Sequence, residues 1–312
     1  MKKQNLNNLF TTFLNEQRFV AKKSEETLRG YWASFDLLIK LVPDIELETI
    51  SSDNLTLFFK KLETRERPSG KTIKKGIKTS TAATYRSKLN SFFVWLRAKG
   101  YLKDNPFNGI PCPQPNYDDR QWIRKDKIEK IITAITLKSH NRFLTERNKL
   151  IILLGLYCGL RKNELLSVKI YDLDLERKIL TVRAITSKSK RERSLPINEE
   201  MVKGLKSYLD ERKKMDYTNS YLLVSENQDG KLSKDGFKHV MERIKKDSGV
   251  KFHIHQLRHT FAVNLLASGC DIAKLKQLLG HRDIRMTSAY LRCLPAEVMR
   301  TDVEKLSIAN LV

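Results

Sequence analysis

Four prolines, Pro106, Pro111, Pro113 and Pro115, fall within the stretch NPFNGIPCPQPNYDD. Proline lacks a backbone N–H and clashes with the preceding helical turn, so no helix passes through this segment. It divides the 312-residue chain into a first domain at 1–110, a linker at 111–120 and a second domain at 121–312, which ends in a tail helix.

The first domain reads as four helices. Apolar residues recur at helical spacing in Leu6, Leu9, Phe10, Phe13 and Leu14, and again in Leu28, Tyr31, Trp32, Phe35 and Leu38 after a start signal at Ser24. Leu55, Phe58, Phe59 and Leu62 mark a third helix. Tyr85, Leu89, Phe92, Phe93 and Leu96 mark a fourth, capped by Ser80 or Thr81 and stopped at Gly100. A helical period assigns these aromatic stripes to the core rather than to base stacking. Between the third and fourth helices lies RPSGKTIKKGIKTS, a polar, glycine-containing loop. Its Lys71, Lys74, Lys75 and Lys78, with no acid among them, suit contacts to a phosphate backbone.

The second domain mixes helices with a few strands. A helix over Ile128–Ile135 precedes a buried one, capped at Thr145 and apolar on all sides from Leu150 to Tyr157, which Gly159 breaks. RKNELLSV begins the next helix. KILTVRA and ERSLPI read as strands joined by the tip TSKSKR. Helices follow over Met201–Arg212, Lys234–Ser248, His255–Ser268 and Asp271–Leu279, and one runs from Asp283 through Tyr290.

Charge narrows the partner. The chain holds 59 Lys and Arg against 36 Asp and Glu, a net +23, which favours a polyanion and nucleic acid first. No apolar run reaches the roughly 20 residues a bilayer needs, and the N-terminus lacks the apolar core of a signal peptide. The four cysteines, Cys112, Cys158, Cys270 and Cys293, have neither metal-ligand nor disulfide-framework spacing, which fits a reducing cytoplasm.

Six residues carry the chemistry: Arg161, Lys188, His255, Arg258, His281 and Tyr290. Five are cationic or hydrogen-bonding groups suited to holding a phosphodiester while its charge grows, and the sixth is a hydroxyl nucleophile. Arg161 follows the break at Gly159, and Glu164, one turn on, can hold its guanidinium. His255 and Arg258, three apart, share a helix face. His259 points elsewhere and reads as structural. His281 sits in the turn after Gly280, and Tyr290 lies near the end of the following helix.

The segments GLRKNEL, SKSKRERSLPI, HQLRHTFAVNLLASG and LLGHRDIRMTSAYL, in that order and spacing, resemble the tyrosine recombinases of the phage-integrase and Xer type. STAATYRSKLNSFFVWLRAKGYLKDNPF resembles the same family's helical core-binding domain. The resemblance implies a mainly α fold: an N-terminal helical (SAM-like) core-binding domain and an α+β catalytic domain with a small antiparallel sheet. It implies Tyr290 as nucleophile, Arg161 and Arg258 on the non-bridging phosphate oxygens, and His281 on the same phosphate. His255 assists proton transfer from the tyrosine, and Glu164 supports the site. Lys188 protonates the leaving 5′ oxygen; Lys190 lies two residues on along the same tip, and alignment through Arg193 and Pro196 favours Lys188.

Cleavage through a 3′-phosphotyrosyl link needs no cofactor, and no Asp/Glu cluster fit for a metal ion accompanies these residues. The resemblance further implies duplex DNA as partner, a dimer on each site, a tetramer at synapsis (of this chain or with a related recombinase), and a tail with apolar residues at Val298, Val303, Leu306 and Ile308 that docks on a neighbouring protomer. The chain opens directly on the core-binding segment, which points to a simple Xer-like or small-element system in the cytoplasm, at the nucleoid. Two other readings are a type IB topoisomerase and a non-catalytic DNA-binding regulator on the same fold.

Overall fold

The computed structural model describes residues 5–70, 72–114, 122–187, 190–226 and 228–294, together with 296, 298 and 300. The chain divides into two compact units, Met1–Tyr117 and Asp118–Val312.

The first unit is built around its aromatic stripes. Helices α1 (Leu6–Asn15), α2 (Glu25–Leu41), α3 (Ser52–Thr64) and α4 (Thr79–Ala98) each turn an apolar face inward. Phe10 stacks on Phe35 at 3.9 Å between ring centroids, and both meet Phe92 edge-on. Each such ring contributes about 1.5–3 kcal/mol by leaving water. Ser24 caps α2 as expected. Trp32 departs from expectation: at 56% exposed it faces out of the stripe it was assigned to. Helix α4 starts at Thr79 behind Lys78, ahead of the expected caps at Ser80 or Thr81. A π-helical turn, Glu16–Val20, extends α1, and its Glu16 accepts a hydrogen bond from the Trp95 indole at 2.8 Å.

The lysine-rich segment is a hairpin, not a loop. Strands β1 (Glu66–Ser69) and β2 (Thr72–Lys75) pair antiparallel with Glu66 opposite Lys75 and Arg67 opposite Lys74. An acid from just outside the segment therefore does face Lys75. The cations of Arg67 and Lys74 are directly opposed, an arrangement that costs stability without an anion nearby.

In the second unit, α5 (Lys125–Lys138) and α6 (Arg142–Cys158) precede a single helical turn, α7 (Lys162–Leu165). Asn141, not Thr145, caps α6, its side chain accepting from the Leu144 N–H at 2.7 Å. A three-stranded antiparallel sheet, ordered β3 (Leu173–Asp174), β4 (Ile179–Val182) and β5 (Arg193–Pro196), has one strand more than the sequence suggested. Helices α8 (Glu199–Lys214), α9 (Lys234–Ser248), α10 (Ile254–Ala267) and α11 (Ile272–Leu279) follow. The expected helix up to Tyr290 is one short turn, α12 (Arg285–Ser288), running into a 3-10 turn at Leu291–Cys293.

Helix α6 is the axis of this unit, with Leu150, Ile151, Ile152, Leu154 and Cys158 buried. Helix α10 crosses it so closely that a Cβ on Gly155 would lie 2.8 Å from the Leu257 side chain. Gly159 ends α6 in the left-handed conformation, φ +56°, and a Cβ there would overlap the Phe261 ring at 2.4 Å. Only glycine satisfies both conditions, and the reversal it permits brings Arg161 back toward α10.

Among the described residues no helix is long and apolar enough to cross a membrane. The expected linker lies mostly in 115–121, and most of the tail helix in 301–312, outside the described residues.

Candidate active site

Arg161 is the N-cap of α7, the residue at which the chain re-enters helix after Gly159. Glu164, three residues on, reaches back to it. One carboxylate oxygen accepts from the Arg161 backbone N–H and the other from its guanidinium, both at 3.0 Å. Glu164 is 1% exposed and also meets Arg193, whose two terminal nitrogens donate to separate carboxylate oxygens at 3.2 and 2.8 Å. A nitrogen of Arg258 lies 3.9 Å away. Burial alone would raise the Glu164 carboxyl; the hydrogen bonds and charges of Arg193 and Arg161 outweigh it and hold it below the usual carboxylate range. Three guanidinium charges around one carboxylate leave a local net +2.

Arg258 rises from α10, 4% exposed. Its terminal nitrogens donate to the Gly159 carbonyl at 2.6 Å and the Leu279 carbonyl at 2.7 Å, so it ties the end of α6 to the end of α11. Burial and the nearby Arg161 charge bring it down to about 10, partly offset by Glu164 and Tyr290, and it stays cationic at neutral pH.

His281 follows Gly280, which ends α11 in the left-handed conformation, φ +63°. His281 Nε2 lies 3.1 Å from the Arg258 guanidinium and Nδ1 lies 2.9 Å from the Thr287 hydroxyl. A guanidinium only donates, so Nε2 accepts here and Nδ1–H faces Thr287. The Tyr290 ring lies parallel to the His281 ring at 6.4 Å, and Tyr290 is 3% exposed.

Arg161, Glu164, Arg258, His281 and Tyr290 therefore gather in one place. His255 stands exposed in the first turn of α10. Its ring is nonetheless partly shielded from water by its neighbours, and this partial desolvation, with the Arg258 and Arg161 charges, pushes it below the ordinary imidazole value. The expectation for His259 is corrected: its Nδ1 lies 3.2 Å from the Tyr290 hydroxyl. The signal that could have found it is its place one turn after His255 in HQLRH. Arg193 was likewise missed as a site residue. Lys188 lies outside the described residues; β4 and β5, on either side of it, pair Val182 with Arg193. Lys71 is also outside them, while Lys74, Lys75 and Lys78 are exposed in the first unit.

Beside α7 lies a cationic cleft lined by Lys169, Arg183, Lys231 and Lys234. Lys169 and Lys231 both sit over the Tyr221 ring, at 5.2 and 4.7 Å. Among the described residues no three or more His, Cys, Asp or Glu side chains group as a metal site.

The profile of the phage integrase family matches residues 121–297. A protein named tyrosine recombinase XerC from Thermodesulfovibrio yellowstonii is 29% identical over 288 residues, 90% of each chain. The structure of the Tn1549 transposon integrase with transposon right-end DNA has a TM-score of 0.75 at 17% identity, covering 97% of this chain and 99% of that one. A lambda integrase tetramer bound to a Holliday junction gives 0.70 at 19% identity, covering 93% and 78%. The fold is that of these integrases, mainly helical with small antiparallel sheets.

Proposed function

The chain belongs to the phage integrase family, the tyrosine recombinases, and we propose on that footing that it cleaves and rejoins duplex DNA at specific sites through a 3′-phosphotyrosyl intermediate. The observation that carries the reading is the convergence of Arg161 and Arg258 on the buried Glu164, with His281 on Arg258 and Tyr290 alongside.

Tyr290 Oη attacks the scissile phosphorus, the P–O5′ bond breaks, and a free 5′-hydroxyl leaves. Tyrosine ionises near pH 10 in water, so its proton must pass to a base as attack proceeds. His255, held neutral at pH 7, is the acceptor that the family pattern assigns, and the His259 Nδ1 lies 3.2 Å from Oη in the resting site. Charge builds on the non-bridging oxygens. Arg161 and Arg258 meet it with permanently charged donors, each contributing about 3 kcal/mol of transition-state stabilisation. His281 joins them once its Nε2 turns from acceptor to donor. Lys188 gives its proton to the leaving O5′. The guanidinium pair supplies the charge that a cation would otherwise bring, and the phosphotyrosyl bond conserves the energy of the broken linkage. Neither a divalent ion nor ATP enters the scheme.

A 5′-hydroxyl from a second duplex then attacks the phosphotyrosine and reseals the strand. Exchange between two duplexes calls for two protomers on each site and four at synapsis, of this chain or with a related recombinase. The exposed Lys74, Lys75 and Lys78, the sequence neighbour Lys71, which lies outside the described residues, and the cationic cleft of the second unit suit the DNA backbone. The workplace is the cytoplasm, at the nucleoid.

Sequencing DNA covalently trapped on the protein identifies the site. A plasmid carrying two copies is then the test substrate. Recombinant circles or a deleted or inverted segment are expected. Relaxed circles without recombinants would instead mark a topoisomerase, and neither product would mark a DNA-binding regulator.

A further inference from the structure

The Arg193 side chain is 8% exposed, and each of its three guanidinium nitrogens already donates to the site's own parts. Two nitrogens form a fork on the Glu164 carboxylate, one per oxygen, at 3.2 and 2.8 Å. The third, Nε, donates to the Leu278 carbonyl at 2.8 Å, in the last turn of α11 and three residues before His281. The side chain lies against the bare face of Gly280, where a Cβ would come within 3.0 Å of its terminal nitrogen. Its backbone opens β5, opposite Val182. One residue thus grips the carboxylate that orients Arg161 and the turn that presents His281.

We propose that Arg193 is a positioning residue for the phosphate clamp. It acts through Glu164 on Arg161 and Arg258, and through the end of α11 on His281; it does not act through the leaving-group acid. The inference rests on the recombinase reading above. The physical need is plain. Glu164 must hold Arg161 without drawing it away from the substrate, and a carboxylate already gripped on both oxygens is fixed in orientation. A lysine at this position keeps the charge but offers no planar fork, so Arg193→Lys removes the geometry selectively.

The experiment compares wild type, Arg193→Lys, Glu164→Gln and the double variant in single-turnover cleavage of a nicked duplex bearing the trapped-DNA site. Each variant is checked for wild-type circular dichroism and DNA affinity. We expect Arg193→Lys to cleave about 10²–10³-fold more slowly at unchanged affinity. In the Glu164→Gln background the same change should cost about tenfold less than it does in wild type, because the Glu164 route is then already lost and only the route through the end of α11 remains.

Two modified substrates then separate the routes. A methylphosphonate at the scissile position carries no charge for the clamp to hold, so the gap between Arg193→Lys and wild type should shrink about tenfold or more. A 5′-bridging phosphorothiolate needs no acid for its leaving group and should not close the gap. Closure of the gap by the phosphorothiolate, additive effects in the double variant, or cleavage by Arg193→Lys at the wild-type rate would each overturn the proposal. If Arg193→Lys does not fold, Arg193→Gln, which keeps one donor on Glu164, takes its place under the same criteria. Absence of any cleavage by wild type would strike the recombinase reading instead, so the two failures are told apart.

Discussion

One buried carboxylate among three guanidinium groups makes the site a standing positive charge, waiting for a phosphate. A consequence at this scale is pH dependence. His255 lies below the ordinary imidazole value, so its folded state binds fewer protons than its unfolded state near pH 6. Its neutral form is present at pH 7, and its contribution to stability is full above the unfolded value and falls as pH drops through the folded one. If neutral His255 accepts the tyrosine proton, single-turnover cleavage should be level through pH 7 and decline only below about pH 6.5. His255→Gln should be slower and lack that acid limb. An unchanged limb in the variant would assign it to another group, such as His259, whose Nδ1 lies 3.2 Å from the hydroxyl. Arg161 and Glu164 were legible in the sequence because three residues is one turn of helix. His259 was not, because neighbouring helix residues point about 100° apart, which turns it away from Arg258, and only the path of the short turn α12 brings Tyr290 round to meet it. Arg193 reaches partners 29 and 85 residues away, a relation no local pattern encodes.

Among elements, the long helices were readable from apolar periodicity, whereas the short ones were placed but read as longer than they are. Helices α7 and α12 have four residues each, too few to show a period, and each is set by tertiary contacts instead. The β1–β2 hairpin looked like a loop for a related reason. Every residue of β2 is exposed, so there is no buried face to impose alternation, and the pairing is carried by backbone hydrogen bonds. A two-stranded ribbon of this kind is marginal alone, and its opposed cations fit a partner that neutralises them. Replacing Lys74 and Lys75 together by alanine should reduce the slope of log affinity against log salt by about 0.9 for each phosphate that these lysines neutralise. Anisotropy titrations on duplex DNA at several salt concentrations measure it, and an unchanged slope would take the hairpin off the DNA.

The whole molecule joins a net charge of +23, two compact units and one converged site. The charge draws the chain to DNA without choosing a chemistry, since any basic binding protein shares it. What distinguishes an enzyme from a binder is a hydroxyl able to take over a backbone linkage. That is measured directly on a duplex carrying the trapped site with a nick placed so that the short cleaved piece diffuses away and the covalent product accumulates. Wild type should give a protein–DNA adduct that survives denaturing electrophoresis and is released by protease, and Tyr290→Phe should give none while binding the same duplex. An adduct of equal yield from Tyr290→Phe, or none from wild type, would contradict the assignment.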